Sequence, residues 1–211
     1  MRVVDGSMLR LSEQSLKVGV EYKGEVTPTR KGVPQGSPIS PLCANIYLNL
    51  VDHIWQKRGY PEKLGATLFR YADDALLICR RDAGQPLEAF ECIARRMGLE
   101  INREKTRITK LTAGFDFVGF NFVKRPSPKT GRNTICIFPS KTSQRNIHKR
   151  IKYFTKRRAP VPPDEFVAQI NKSVRGWANS YRHTNASEAF RSLQRFINIR
   201  FRRYLTFRSK G

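Results

Sequence analysis

The stretch RYADDALLIC, residues 70–79, sets two adjacent aspartates between two short apolar runs. Aromatic, aliphatic and β-branched residues dominate both sides of Asp73 and Asp74 across residues 67–79, which predicts two strands joined by a turn at the acids. Two interpretations of the acids are open. They form a solvated turn, because Asp tolerates turn geometry, or they hold a hard divalent cation such as Mg²⁺ through their oxygens.

The net charge of the chain favours the metal interpretation. The sequence has 40 Lys and Arg against 17 Asp and Glu, a formal charge of +23. Such an imbalance predicts a polyanionic partner. Residues 140–211 contain eighteen Lys and Arg and three acids, so they carry +15 of the +23. Asp73 and Asp74 are then anionic positions in a basic protein, where Mg²⁺ can bridge a carboxylate to a nucleic-acid phosphate.

Helical and extended patterns are mixed in residues 1–139. One helix is predicted over residues 8–16, and a second after Pro41, where apolar residues recur every four positions until the chain reaches Gly59. A short extended segment is predicted over residues 18–22. The apolar face predicted for the second helix consists of Leu42, Ile46, Leu50 and Ile54.

The segment after the aspartate hairpin adds another helix and further strands. Gly98 is placed to cap that helix. LEINREKTRITKL and FDFVGFNF, residues 99–111 and 115–122, predict strands. Helix, hairpin, helix and strands in this order favour an α+β fold, with helices against an antiparallel sheet. The helical face predicted here consists of Leu87, Phe90, Ala94 and Met97.

Three amphipathic helices are predicted in residues 140–211, which form a basic, all-α bundle after a boundary near residue 139. Asn185 with Glu188 offers a capping-box-like start for the third helix. The apolar faces of the three helices are, in order, Ile147, Ile151 and Phe154; then Phe166, Ile170, Val174, Trp177 and Tyr181; then Phe190, Leu193, Ile197, Phe201 and Tyr204.

Cysteine spacing and hydropathy exclude several classes of protein. The cysteines show no CxxC pairing and lie among apolar residues, so we expect reduced packing residues and neither zinc ligands nor disulfides. No apolar run approaches the roughly 18 to 20 residues of a membrane span, and the N-terminus lacks a signal pattern. We therefore expect no membrane partner and a cytoplasmic, nucleoprotein-associated location. The four cysteines are Cys43, Cys79, Cys92 and Cys136.

Several motifs accompany the hairpin in a fixed order. GVPQG, residues 32–36, precedes it, Lys105 follows it, and FVGF, residues 117–120, comes next. This series resembles the palm of reverse transcriptases, which has a PQG-bearing loop and helix, a YxDD hairpin, a Lys-bearing segment and a primer-grip strand pair. Ala72 and INKSVRGWANSYR, residues 170–182, look most like group II intron proteins, in which a maturase-specific helical thumb follows the palm.

The resemblance implies roles for the hairpin and the PQG loop. Asp73 is implied as the principal Mg²⁺ ligand, with Asp74 in the same site, and Tyr71 is implied to support the primer end. The loop is implied to approach the template and the nascent base pair, because glycine permits close backbone contact. The residues of the loop that carry this role are Gly32, Pro34, Gln35 and Gly36.

Lys105 and the FVGF segment are implied to bind the incoming dNTP and the primer. Lys105 is implied to face the triphosphate as a charge clamp or proton donor; the alternative is a solvated lysine at a strand end. Phe117, Gly119 and Phe120 are implied to form the primer grip, although a plain core strand explains the two phenylalanines equally well.

A dense basic run in the bundle points to RNA. No acids neutralise it, so phosphate contact is favoured over a merely solvated face, and a structured RNA read by backbone and shape fits such a surface. Trp177 lies at core spacing, which favours packing over base stacking. The run consists of Lys149, Arg150, Lys152, Lys156, Arg157 and Arg158.

A palm of this kind uses a further aspartate upstream of the PQG loop, together with fingers. None of the acids before Gln35 fits that role, and Asp5 is expected to cap the first helix. We therefore expect the C-terminal part of a polymerase, inactive without an N-terminal portion, whose partners are group II intron RNA, an RNA template with a DNA primer, and dNTPs. The alternative is a non-catalytic, RNA-binding maturase-like remnant.

Overall fold

The structure, a computed structural model, describes residues 5–22, 24–27, 32, 36–127, 131–155 and 163–208. The chain divides into two units, Met1–Thr106 and Arg107–Gly211. The first unit begins with helix α1, Gly6–Lys17, whose N-terminus is capped by the Asp5 carboxylate through the N–H groups of Ser7 and Met8. This confirms both the first predicted helix and the expected role of Asp5.

Apart from the strand over residues 99–111, the remaining elements of the first unit include the predicted ones in the predicted order, together with a second short strand and a short helix that the sequence did not predict. Strands β1, Val20–Tyr22, and β2, Glu25–Thr27, form an antiparallel pair, as do β3, Ala66–Tyr71, and β4, Asp74–Cys79. The helices are α2, Ser40–Lys57, α3, Tyr60–Lys63, and α4, Gly84–Arg96.

The core of this unit forms around Trp55. Its side chain is fully buried, and its indole N–H donates to the carbonyl oxygen of Ala66, 3.2 Å away. Val51, Ala66 and Ile93 complete the buried cluster. Gly98 has a φ of +67° just after α4, which suits the cap predicted there.

The predicted apolar face of α2 is wrong at three of its four residues, and Ile54 alone of the four packs against the core around Trp55. Leu42, Ile46 and Leu50 are exposed, at 59%, 65% and 49% of their surface. The helix buries Val51 and Trp55 instead. The helix has two apolar stripes and buries one of them against the core. The stripe that carries the indole is buried because it removes the larger apolar area from water.

The strand predicted over residues 99–111 is also wrong. Asn102 forms a local turn there: its side-chain oxygen accepts from the N–H groups of Glu104 and Lys105, and its carbonyl accepts from Thr106. Such side-chain bonds to nearby backbone compete with strand pairing. None of these residues belongs to a strand.

The second unit joins a three-stranded antiparallel sheet to three helices. The strands, in spatial order, are β5, Phe115–Phe117, β6, Phe120–Pro126, and β7, Asn133–Pro139. The predicted strand over residues 115–122 is therefore two strands, because Val118 and Gly119 both have positive φ and form a two-residue hairpin turn.

The three predicted helices of the bundle are confirmed as α5, Lys141–Phe154, α6, Pro163–Tyr181, and α7, Ser187–Arg208. One buried cluster comprises Ile147, Ile151 and Leu193, and another comprises Phe166, Ile170 and Tyr204. The chain changes from strand to helix between residues 139 and 141, but sheet and bundle lie in one unit, so a domain boundary at residue 139 stays a prediction.

Asn185 does not cap α7 as predicted. Its side-chain oxygen accepts from the N–H of Ile137 at 2.9 Å, and its own N–H donates to the carbonyl of Ile137 at 2.8 Å. The side chain is therefore committed to the edge of β7, and the turn before α7 is tied to the sheet.

The structure describes the cysteines and the helices, which bear on the exclusion of disulfide, zinc and membrane proteins. All four cysteines are free, and Cys92 is exposed, so packing does not describe it. Among the described residues, no helix combines the length and apolarity that crossing a membrane requires.

Candidate functional site

The two aspartates lie at the end of the β3–β4 hairpin, as predicted, with Asp73 in the turn and Asp74 as the first residue of β4. Tyr71 and Asp74 are the last paired residues, so Ala72 and Asp73 form the turn. Ala72 has a φ of +52°, a left-handed conformation that costs an L-residue about 1–2 kcal/mol. A strained turn of this kind persists only where its surroundings hold it.

The guanidinium of Arg70 holds this turn. Its Nη1 donates to the carbonyl oxygen of Ala72 at 3.0 Å and to the side chain of Asn45 at 2.9 Å. Its Nε and Nη2 donate to the carboxylate of Asp52 at 2.9 and 2.6 Å. Since Asn45 and Asp52 lie on α2, the helix is connected through Arg70 to the aspartate turn.

Sequence patterns did not single out Arg70, Asn45 or Asp52. One indication was available: Asn45 and Asp52 are seven residues apart on a helix and so share a face. That spacing identifies a polar face but not its partner, which comes from another element.

Asp73 and Asp74 are both exposed, and in the part of the chain that the structure describes neither carboxylate has a hydrogen-bond or ion-pair partner. Carboxylate oxygens are ligands that Mg²⁺ prefers. The donor chemistry therefore fits Mg²⁺ with two protein ligands. No group of three or more His, Cys, Asp or Glu able to hold a metal occurs among the described residues. Tyr71, beside them, is 63% exposed.

The other predicted residues of the first unit are only partly placed. Lys105 is exposed on the Asn102 turn, and no described contact joins it to Asp73 or Asp74. Gly32 and Gly36 both have positive φ, at +79° and +92°, with open space where a Cβ would stand. Pro34 and Gln35 lie outside the described residues.

The predicted grip residues surround the β5–β6 turn in the second unit. Phe117, Gly119 and Phe120 are half-buried, and the ring of Phe120 packs on Tyr181 with centroids 4.9 Å apart. A cavity of about 730 Å³ lies between this turn and helices α5 and α6. Hydroxyl groups and the cations Arg150 and Lys172 line it together with apolar surface.

Helix α5 exposes a basic face. Lys149, Arg150 and Lys152 are exposed, the helix contains no acid, and none of the three has an ion-pair partner among the described residues. The predicted contacts at Lys156, Arg157 and Arg158 lie outside those residues. The contacts of Trp177 support the packing interpretation, since it packs against the buried cluster of α5 and α7 and against Phe190, although it also lines the cavity.

Comparison with known proteins covers both units. The family model described as reverse transcriptase (RNA-dependent DNA polymerase) matches residues 6–122, and that of the group II intron maturase-specific domain matches residues 144–211. Protein YkfC of Escherichia coli strain K12 is 26% identical, in an alignment that covers 68% of this chain and 46% of YkfC. The chain thus spans about half the length of that relative.

Proposed function

The chain belongs to the reverse transcriptase family and carries a group II intron maturase-specific domain, and from this premise we propose that it acts in RNA-directed DNA synthesis and binds its intron RNA. In this proposal residues 1–139 form part of the palm, and residues 140–211 form the thumb. Its location is the cytoplasm, within a ribonucleoprotein.

The aspartate turn is the proposed site of nucleotidyl transfer. Asp73 and Asp74 hold Mg²⁺, with a further oxygen ligand from outside the described residues. Mg²⁺ bound there supplies Lewis-acid stabilisation of the reacting phosphate oxygens and lowers the pKa of the primer hydroxyl. The contribution of Arg70 is to fix the turn, because oxygen ligands must be held in place before the substrate arrives.

The remaining residues bind substrates. Lys105 stabilises the charge of the dNTP triphosphate, and Tyr71 supports the primer end. The glycines of the PQG loop allow the backbone to approach the template. The residues proposed for these contacts are Gly32, Pro34, Gln35 and Gly36 for the template, and Phe117, Gly119 and Phe120 for the primer.

The basic face of α5 is the proposed contact for intron RNA. Lys149, Arg150 and Lys152 are exposed without acidic partners among the described residues, so their charges are available to phosphates. Lys156, Arg157 and Arg158 continue the run in sequence. Binding through phosphates makes the affinity strongly dependent on salt.

One observation carries the catalytic proposal: two exposed carboxylates without described partners stand on a strained turn in a chain of charge +23. The test is primer extension on an RNA template in Mg²⁺, with the expected N-terminal portion of the polymerase supplied to the chain. We expect Asp73→Asn to abolish extension and leave RNA affinity unchanged. Asp82→Asn is the matched control, because the described hydrogen bond of the Asp82 side chain, from the N–H of Gly84 at 3.0 Å, is one that Asn also accepts. Extension that survives Asp73→Asn contradicts the proposal.

A second candidate function is RNA binding without catalysis. It is favoured by the lack of a third metal-binding side chain beside Asp73 and Asp74 in the described ranges. Under this alternative Asp73→Asn has no effect on intron splicing, whereas neutralising the basic face of α5 lowers RNA affinity. Primer extension therefore separates the two functions: catalysis requires extension that Asp73→Asn abolishes, whereas the alternative predicts no extension even by the unaltered protein.

A further inference from the structure

A chain of hydrogen bonds runs from the helical bundle to the β5–β6 turn. Nε1 of Trp177 lies 2.9 Å from Oγ of Ser143, which lies 2.7 Å from the hydroxyl oxygen of Tyr181. That hydroxyl lies 2.9 Å from the carbonyl oxygen of Gly119. An indole N–H can only donate and a carbonyl can only accept. The protons therefore point one way: Trp177 donates to Ser143, Ser143 to Tyr181, and Tyr181 to Gly119.

The turn at the end of this chain is strained and tightly held. Val118 has a φ of +48°, an outlier for a β-branched residue. The carbonyl of Gly119 accepts a second bond, from the N–H of Ser140 at 2.9 Å. A Cβ on Gly119 would stand 3.1 Å from the Tyr181 hydroxyl. The turn is thus fixed from behind by groups of α5 and α6.

The same turn forms one wall of the cavity described above. Val118, Gly119, Ser143 and Trp177 line that cavity, while Tyr181 is 5% exposed and does not. Tyr181 therefore has no surface to offer a ligand there. Its hydroxyl acts on whatever occupies the cavity only through the position of the turn.

We propose that Trp177, Ser143 and Tyr181 are positioning residues, which hold the Gly119 carbonyl so that the turn can contact a bound primer strand. This inference rests on the proposed function, because it takes the β5–β6 turn as a contact of the primer. The chain of bonds couples the tryptophan of the RGW motif to a turn 58 residues away in sequence.

The test compares two Tyr→Phe variants. Tyr181→Phe removes the bond to Gly119 and keeps the ring. Tyr47→Phe removes a hydroxyl that likewise donates to a backbone carbonyl, that of Met97, in the first unit, and serves as the control. The probe is a primer–template duplex with 2-aminopurine at the primer 3′ end. We expect the Kd to rise about fivefold to tenfold in Tyr181→Phe, with an altered 2-aminopurine emission in the complex, and neither change in the control.

Two further variants separate positioning from general loss of packing. Ser143→Ala should match Tyr181→Phe, and the double variant should lose little more than either single one, because both break the same chain. Ser143→Thr keeps the hydroxyl and should bind as the parent does. Thermal melting identifies any variant that fails to fold. If Ser143→Ala or Tyr181→Phe fails to fold, the comparison of Ser143→Thr with the parent remains.

The outcomes distinguish this inference from the proposed function. If the unaltered protein does not bind the duplex, the proposed function fails, and this inference fails with it. If the unaltered protein binds and Tyr181→Phe and Ser143→Ala bind equally well with the same emission, only the positioning role is overturned. Additive losses in the double variant also overturn it.

Discussion

Arg70 donates a hydrogen bond from Nη1 to the carbonyl oxygen of Ala72, 3.0 Å away, within the hairpin to which both belong. The other described hydrogen bonds of its guanidinium go to side chains of α2, so the strained turn is held against a helix by one planar group. Lysine cannot reproduce this arrangement, because an ammonium is a point charge without a fork of donors.

The first prediction therefore concerns Arg70→Lys. With the expected N-terminal portion supplied, we expect the rate of primer extension to fall by about 10²-fold, as small displacements of reacting groups commonly cause, with RNA affinity unchanged. Single-turnover extension measures the rate, and fluorescence anisotropy measures the affinity. Arg96→Lys, at an exposed position on α4 without a described partner, is the control. Extension at the unaltered rate would show that the turn does not need Arg70.

The second prediction concerns the stability of the first unit. Asp52 pairs with Arg70, whose side chain is only 14% exposed, so Asp52→Asn leaves a largely buried cation poorly compensated. We expect the free energy of unfolding to fall by about 1.5–3 kcal/mol, measured by urea denaturation. Glu13→Gln is the contrast, because the Glu13–Lys17 pair is exposed on both sides and such pairs contribute little. Equal effects of the two substitutions would refute the argument.

The third prediction concerns the strain at Val118. Glycine adopts positive φ without the steric cost that a β-branched residue meets there, about 1–3 kcal/mol, but loses about 0.5–1 kcal/mol in backbone entropy. We expect Val118→Gly to raise the free energy of unfolding by about 1 kcal/mol. Val167→Gly, in α6, should lower it by a similar amount. Thermal melting of both variants shows whether each substitution raises or lowers the stability. A destabilised Val118→Gly would mean that the packing of the valine outweighs its strain.

The fourth prediction concerns RNA binding by α5. Replacing Lys149, Arg150 and Lys152 with Gln should lower RNA affinity and reduce the slope of log K against log salt by roughly one unit for each phosphate that the variant no longer neutralises. The control removes the same charge from the first unit, through Lys63, Arg95 and Arg96 to Gln, all exposed. Titrations at several salt concentrations give both slopes. If the two triple variants behave alike, net charge and not the α5 face governs binding.

The fifth prediction concerns thiol reactivity. Burial, reinforced by the negative charge of Asp82, raises the pKa of the Cys79 thiol. A raised pKa means less thiolate at a given pH, so Cys79 should be alkylated more slowly than the exposed Cys92 at pH 8, and its rate should continue to rise at higher pH. Mass spectrometry of iodoacetamide-treated protein follows both sites. Equal rates at pH 8 would contradict this ordering.

Local patterns were sufficient for the hairpin and for most helices. The structure follows two local patterns: the aromatic, aliphatic and β-branched runs on both sides of Asp73, and the apolar spacing in α5, α6 and α7. Each pattern depends on a few neighbouring residues. They failed in α2, where two apolar stripes compete and only the core decides between them. They failed again at Asn102, whose side chain bonds to its own turn.

The groups that hold the candidate site in place could not be predicted from the sequence. Arg70 meets Asp52 across 18 residues, and Tyr181 meets Gly119 across 62. Neither pair has a local pattern, because each forms only when separate elements pack. Residue types predict which turn carries the carboxylates, whereas tertiary contacts determine what keeps that turn in place.

The pairing of Asn185 with Ile137 bears on how the protein behaves at high concentration. β7 is an edge strand, and an unpaired edge is a template on which a second copy can add a strand. Asn185 forms hydrogen bonds with both the N–H and the carbonyl of Ile137, as one residue of a neighbouring strand would. It therefore blocks the middle of that edge against intermolecular sheet formation and gives this strongly basic protein a local defence against aggregation.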